Sequence, residues 1–470
     1  MCHTASIPSP APGRLWSILA VVLVADAMDL LDSTLTMIAA PSIAADLGGG
    51  ASLVTWLGAS YALALGVLLV LGGRLGDKFG QRRMFLIGIA GFTLASLLCG
   101  LSTSPVMLIA ARLAQGASGA FLIPQGMAIL TATFPRDKLG AAFSVFGPVL
   151  GIAAVLGPVL GGFLIDADIF GLGWRAMFLI NIVIGSAGFL AALKILPEIE
   201  VGRGVVLDLV GAALLALAMF AFIAGLSLGA ETGWTGWPPI ALALGAVSFI
   251  LFCWRQASAA NPLIEPSLLA NRGFTSGLLV GFGFFAAVSG LCFVISLFFQ
   301  GGLGRSPTGA ALGLIPMAIG IVVASGACAP LLARLGRWLV VSGLLITLAA
   351  AAFLFAVVAS HGGSVGYWPL VAPIFLLGLG MGACFATIYD VALGDIATEE
   401  AGSASGSLSA VQQLAASTGI AVMTTVFFSV ASHADQGQAM LLSLAVVAAI
   451  VLVCLGLVWL MPAAAPAEQQ

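Results

Sequence analysis

Fourteen predominantly apolar stretches follow one another along this chain, most of them twenty residues or longer, with only short connections between them. About twenty such residues cross the hydrocarbon core of a bilayer as a helix. A backbone inside that core must satisfy its own hydrogen bonds, so runs of this kind fold as helices. The stretches fall at roughly 15–41, 52–73, 84–103, 105–130, 139–165, 174–196 and 207–229 in the first half. In the second half they fall near 238–256, 274–299, 308–332, 338–360, 367–391, 404–431 and 438–461. The expected fold class is an all-α polytopic membrane protein with about 14 transmembrane helices.

The scarcity of charge supports this. Only 7% of the 470 residues are charged, against about a quarter in a soluble domain. That is too little polar material to coat a water-facing surface, so the bilayer is the expected solvent and partner. The net charge is −3, and the basic residues come in ones and twos, which leaves no footprint for nucleic acid. Thirteen Arg against three Lys, with heavy use of Ala and Gly, reads as the coding bias of a GC-rich bacterium.

Those basic residues also orient the chain, because cytoplasmic loops are enriched in Lys and Arg. Residues 14, 74, 78, 82, 83, 136, 138, 194, 203, 255, 272, 334 and 337 fall on one side of the map, whereas Arg175 and Arg305 fall on the other. Arg112 is inside a span. Both termini are therefore expected on the cytoplasmic side of a bacterial inner membrane. The first span is too long for a cleaved signal peptide and reads as an uncleaved insertion signal. Trp16, Trp56, Trp174, Trp237, Trp254, Trp338, Trp368 and Trp459 lie near span ends, where an interfacial aromatic belt is expected.

A weak echo links GRLGDKFGQRRMFLIG (73–88) with ARLGRWLVVSG (333–343). If the seventh and eighth helices are an inserted pair, both segments are the second loop of a six-helix half. Two repeated bundles with the substrate between them are a recurring transporter plan. The expected organisation is a tail at 1–14, a six-helix bundle at 15–200, two linker helices at 201–272, a second six-helix bundle at 273–461, and a tail at 462–470.

An ionisable group in the bilayer costs about 2.5–3.5 kcal/mol on insertion scales, so the few that occur are functional candidates. The first helix carries Asp26, Asp29 and Asp32, and the fourth carries Arg112. Steps of three residues place the acids on one slanted stripe. One guanidinium against three carboxylates leaves an acid without an obvious cation, a group able to load and release a proton. The blander alternatives are an acid that faces water or ties helices together, and an Arg112 held in a structural ion pair.

The fifth helix reads GPVLGIAAVLGPVLGG. Gly147, Gly151, Gly157, Gly161 and Gly162 allow close helix approach, and Pro148 and Pro158 remove backbone hydrogen bonds. That suits either a rocking interface or ordinary bundle packing. Asp77, in a loop otherwise basic (Arg74, Lys78, Arg82, Arg83), could latch onto an Arg or a nearby helix N-terminus. No G-x-x-x-x-G-K-[ST] phosphate loop occurs, which argues against ATP hydrolysis. Seven Cys without a C-x-x-C pair and three scattered His offer neither a metal set nor a nucleophile–base pair. Neither an enzyme nor a cofactor is expected.

Taken together these stretches resemble the major facilitator superfamily, and within it the fourteen-helix drug:proton antiporter branch. GRLGDKFGQRRMFLIG is similar to its signature loop, with Gly73, Asp77, Gly80, Arg82 and Arg83 in place. LIAARLAQGASGAFLIPQ (108–125) resembles the helix-4 motif with Arg112, Gln115 and Gly116, and GPVLGIAAVLGPVLGG resembles the helix-5 antiporter motif. MDLLDSTLTMIAAPSI (28–43), WRAMFLIN (174–181) and SGSLSAVQQLAASTGIAV (405–422) also look like that branch. Met37 stands where the branch has Asn, and Ser118 where it has Gly. The resemblance implies proton-coupled export of amphipathic compounds by a monomer driven by the proton gradient alone. Asp32, with Asp29, would exchange proton for substrate while Arg112 couples that event to rearrangement. The rival readings are a transporter of one physiological metabolite and a membrane sensor that moves nothing.

Overall fold

The computed structural model describes residues 12–198, 208–232, 234–260, 262–328, 331, 335–361, 365–393, 396 and 401–462. The two expected tails lie almost wholly outside these residues, as do Arg203 and, in the second echo loop, Ala333 and Arg334. Among the described residues there is no strand. Fourteen long helices form in sequence order. The first eight are α1 (Pro12–Leu47), α2 (Gly50–Phe79), α3 (Gln81–Gly100), α4 (Pro105–Thr133), α5 (Arg136–Asp166), α6 (Arg175–Ile195), α7 (Leu209–Thr232) and α8 (Trp237–Ser258). After a five-residue helical turn, Pro266–Ala270, come α9 (Arg272–Leu297), α10 (Pro307–Cys328), α11 (Arg337–His361), α12 (Tyr367–Leu393), α13 (Ala401–Ala431) and α14 (Gln436–Leu457).

Twelve of these are long and apolar enough by themselves to cross a membrane. The other two, α1 and α5, are 36 and 31 residues long and lie against each other, Gly157 and Gly161 of α5 meeting Thr34 and Leu35 of α1. At about 1.5 Å per residue α1 is roughly 54 Å long, more than a core of about 30 Å requires. Gly80 ends α2 and begins α3 at φ 97°, a backbone region where a Cβ is strained.

The helices group as two bundles of six and a pair. Within the first bundle α4 lies against α2 and α3, α1 against α5, and α3 against α6. Within the second, α9 lies against α13, and α12 against α10 and α11. The bundles meet along two seams, α2 with α13 and α5 with α10. The inserted pair α7–α8 packs on itself, and α7 lies across the first seam in contact with both α2 and α13. Large apolar side chains such as Leu94, Val106, Val183, Ile250 and Val453 point outward, as they should where lipid replaces water.

The aromatic belt needs correcting at two positions. Trp16, Trp237, Trp254, Trp338, Trp368 and Trp459 are exposed, whereas Trp56 and Trp174 are buried. Trp56 packs 5.1 Å from the Phe220 ring of α7, and the Trp174 indole N–H donates to Asp46 at 3.0 Å. Proximity to a span end does not say which way a side chain points, and these two point into the bundle.

Candidate functional site

The acids of α1 turn inward: Asp32 is 0% exposed, and Asp26 and Asp29 are 8% exposed. Each meets a different environment. Asp32 is closed in by partners from α4 and α6. Arg112 of α4 pairs with its Oδ2, while the amides of Gln115 and of Asn181 on α6 each donate to Oδ1 at 2.8 Å. Gln115 also accepts from Arg112 at 2.7 Å and donates to Ser96 of α3 at 2.8 Å. The guanidinium lies over the Tyr61 ring, 4.6 Å from its centroid, a favourable face for a cation. A buried ion pair holds only when its remaining polar atoms are bonded, and the two amides meet that condition for the carboxylate.

Asp29 has a lighter set of partners. The Tyr61 hydroxyl of α2 donates to its Oδ1. Gly119 of α4 leaves room for this pair, since a Cβ there would sit 2.9 Å from the tyrosine oxygen and 3.1 Å from Asp29 Oδ1. One turn along, Gly116 lies against the Tyr61 carbonyl. Asp26 completes the series, with an Oδ1 that is buried and has no hydrogen-bond partner.

Between the bundles lies a cavity of about 430 Å³. Its first-bundle wall includes Asp29, Ser33, Thr34, Tyr61, Arg112 and Pro158, with Met37 beside them. Asp32 and Asp26 are not in the lining. The facing wall is aromatic and thioether-rich, from Phe285, Phe293 and Phe385 to Met317 and Met381, with Gln412 and Gln413 as its amides. Phe385 stands 5.1 Å from Phe285, edge to face, and stacks on Tyr389, whose hydroxyl donates to Gln412.

Toward the end that carries Asp46, Asp166 and Arg175, the halves are joined by hydrogen bonds. Ser296 of α9 and Gln300, in the helical turn that follows it, donate to the Met37 and Ile38 carbonyls at 3.3 and 3.0 Å. Asp166 of α5 accepts from the Thr308 N–H at 3.0 Å. Thr55 donates to Thr424 at 2.9 Å, and Ser417 to the Ala59 carbonyl at 3.0 Å. The α5 glycines serve both halves, since Gly162 meets the Thr308 backbone of α10. The surroundings of Gly147, Pro148 and Gly151 lie outside the described residues.

The signature loop sits apart from the cavity. Arg82 donates to Glu198 at 2.8 Å and to the Leu193 carbonyl at 2.6 Å, which pins the α2–α3 turn to the end of α6. Asp77 lies beside Gln81, the first residue of α3, and Arg74. Arg83 is exposed, and a Cβ at Gly73 would sit 3.7 Å from Pro124. Sequence reasoning did not single out Tyr61, Ser96 or Asn181. Tyr61 is one of only three tyrosines, and a phenol in mid-span was the available signal for it. The aromatic and thioether side chains of the second-bundle wall were missed, because Phe and Met carry no signal in an apolar helix, whereas its two glutamines fall in the 405–422 stretch.

The model of the Major Facilitator Superfamily matches residues 22–420. The chain is 43% identical to a probable actinorhodin transporter of Streptomyces coelicolor over 90% of this chain and 74% of that one. It is 33% identical to the tetracenomycin C resistance and export protein of Streptomyces glaucescens, over 89% of this chain and 77% of that one. It is also 33% identical to a puromycin resistance protein of Streptomyces alboniger, over 90% and 84%. Among solved structures, an auto-inhibited peptide transporter of the POT family superposes with a TM-score of 0.68 at 17% identity, over 94% of this chain and 96% of that one.

Proposed function

This chain belongs to the major facilitator superfamily, and on that footing we propose that it exports amphipathic antibiotic-type compounds across a bacterial inner membrane in exchange for protons. The observation that carries the reading is the cavity between the bundles, which has one carboxyl in its wall, Asp29, held by Tyr61 and next to the Asp32–Arg112 pair. Relatives named for the transport of, or resistance to, actinorhodin, tetracenomycin C and puromycin support a substrate of that kind.

The mechanism follows from what each group can do. A substrate in the cavity meets aromatic and thioether side chains on one wall and Asp29 on the other. It competes with the Tyr61 hydroxyl and with a proton for the same carboxylate. Loss of the Tyr61 bond frees the ring that covers Arg112, and the Asp32–Gln115–Asn181 network passes the change to α4 and α6. Asp32 and Arg112 are thus the coupling pair, and Asp29 is the exchange site. The moving bodies are residues 15–200 and 273–461, joined by 201–272, with both termini in the cytoplasm. Pro158, Gly157, Gly161 and Gly162 shape α5 as the rocking surface, with Gly147, Pro148 and Gly151 continuing it. Gly73, Asp77, Gly80, Arg82 and Arg83 form the cytoplasmic gate. The protein works as a monomer without a cofactor.

Everted vesicles test this. They are energised, given ethidium, tetraphenylphosphonium, puromycin and tetracenomycin C in turn, and followed for proton release. Wild type is expected to release protons on addition of at least one compound, and Asp29→Asn and Asp32→Asn to abolish that release. Folded wild type that releases no proton with any of them overturns the reading. Release that survives both substitutions moves the coupling to Asp26 or off α1.

A further inference from the structure

Asp26 has no part in the mechanism above, yet it is a buried acid with an unsatisfied oxygen. It is 8% exposed, its Oδ1 is buried without a hydrogen-bond partner, and it does not line the cavity. Val22, Asp26 and Asp29 recur at helical spacing on one face of α1. On that face Val22 meets Gly126 of α4 and Asp29 meets Gly119 of α4. Asp26 therefore stands opposite the intervening stretch of α4, where Leu122 is buried and the Gln125 amide is turned to the Gly72 carbonyl of α2. The charged group acting on Asp26 is Asp29, one turn away. Tyr61 on α2 faces Asp29, and Arg112 on α4 faces Asp32.

The three acids thus form a ladder. Asp32 has a cation and two amides, Asp29 has one hydroxyl, and Asp26 has an orphan oxygen. An intramembrane acid with no partner to neutralise it is poor structural glue, which leaves it a functional group by default. A neutral carboxylic acid needs no counter-ion in such a place, and a carboxyl one turn from the exchange site is within reach of its proton.

We propose that Asp26 is a proton relay, which takes the proton from Asp29 and hands it toward the Arg14 end of α1. This rests on the export reading, with Asp29 as the exchange site. The transfer is a plain acid–base step: the Asp29 carboxyl loses its proton to the Asp26 carboxylate, and Asp26 then loses it to water on the cytoplasmic side. Substrate never touches Asp26. Its removal therefore affects proton delivery and leaves substrate binding unchanged.

Full-length protein in liposomes gives two readouts. In infrared difference spectra across a pH step, the protonated-carboxyl signal of wild type is expected to lose one component in Asp29→Asn and a different component in Asp26→Asn. A band undiminished in Asp26→Asn overturns the proposal. For ethidium, Asp26→Asn is expected to bind with wild-type affinity but to be exported roughly a hundredfold more slowly under a proton gradient, the low end of what a positioned proton-transfer group contributes. The solvent isotope effect should rise, and Asp26→Glu should restore most of the rate. A purely structural role would instead lower binding and elution quality, and Glu would fare no better than Asn. Active wild type with equally active Asp26→Asn overturns the relay alone, whereas wild type inactive toward all four compounds named above overturns the export reading on which it rests.

Discussion

The two bundles share a plan and divide the chemistry between them. The first packs three carboxylates, a guanidinium, a phenol and three amides into its interior. The second meets it across the cavity with phenylalanines, methionines and two glutamines. Buried charge is rigid, because each bond must be matched and few alternative arrangements satisfy all of them. Methionine and aromatic surfaces are tolerant, because dispersion contacts re-form with many partners. A protein that must hold one proton path while accepting varied molecules gains from keeping those tasks on separate walls.

The sharpest way to break this comparison is at the ion pair. Arg112→Met leaves Asp32 buried without its cation, a change worth about 3–5 kcal/mol. Loss of monodisperse protein or a large fall in Tm is expected, while Gln412→Leu in the opposite wall should fold normally. Equal tolerance of both would show that the first bundle does not depend on its network. Next in size, Gly162→Val drives a Cβ into the Thr308 backbone across the seam, an overpacking cost of about 1–3 kcal/mol. It should lengthen the spin-label distance between positions 166 and 308 as the halves part at this end. Phe385→Ala removes a ring paired with Phe285 and should weaken binding of aromatic substrates by about threefold to tenfold, in line with about 0.5–1.5 kcal/mol per aromatic pair. Protons released per substrate should not change. If they do, the walls are not separate.

The smallest effect lies at the exposed end. The Arg175 guanidinium and the Trp174 indole beside Asp46 hold its carboxyl below the usual carboxylate range. A depressed value means that the stabilisation is present above the unfolded value, near 3.9, and is lost as pH falls through the folded value. Thermal stability of wild type should therefore drop below about pH 4 slightly more than that of Asp46→Asn. The pair is solvent-screened, so the difference should shrink in salt.

Much of the first bundle was legible in the sequence because charge in an apolar helix is costly and therefore conspicuous. The three acids, Arg112 and the helix lengths all followed from that one rule. Tyr61 escaped because a single phenol costs little, and its partner became known only once α2 lay against α1. The burial of Trp56 and Trp174 and the pairing of Arg82 with Glu198 likewise depend on which helix ends meet. The aromatic wall was invisible for the opposite reason: against 61% apolar residues, a phenylalanine facing a cavity and one facing lipid look the same.

The position of α7 makes the two seams unequal. Ser52 bonds to Ser227 at 2.9 Å, Thr425 donates to the Leu226 carbonyl at 3.2 Å, and Trp56 packs on Phe220, so protein backs the α2–α13 seam from outside. The α5–α10 seam has Leu156, Phe163, Leu312 and Ile319 exposed along its flanks, an apolar surface that suits a lipid surrounding. Among the described residues the molecule therefore has a front and a back, one joint braced by the inserted pair and the other edged by bare apolar side chains.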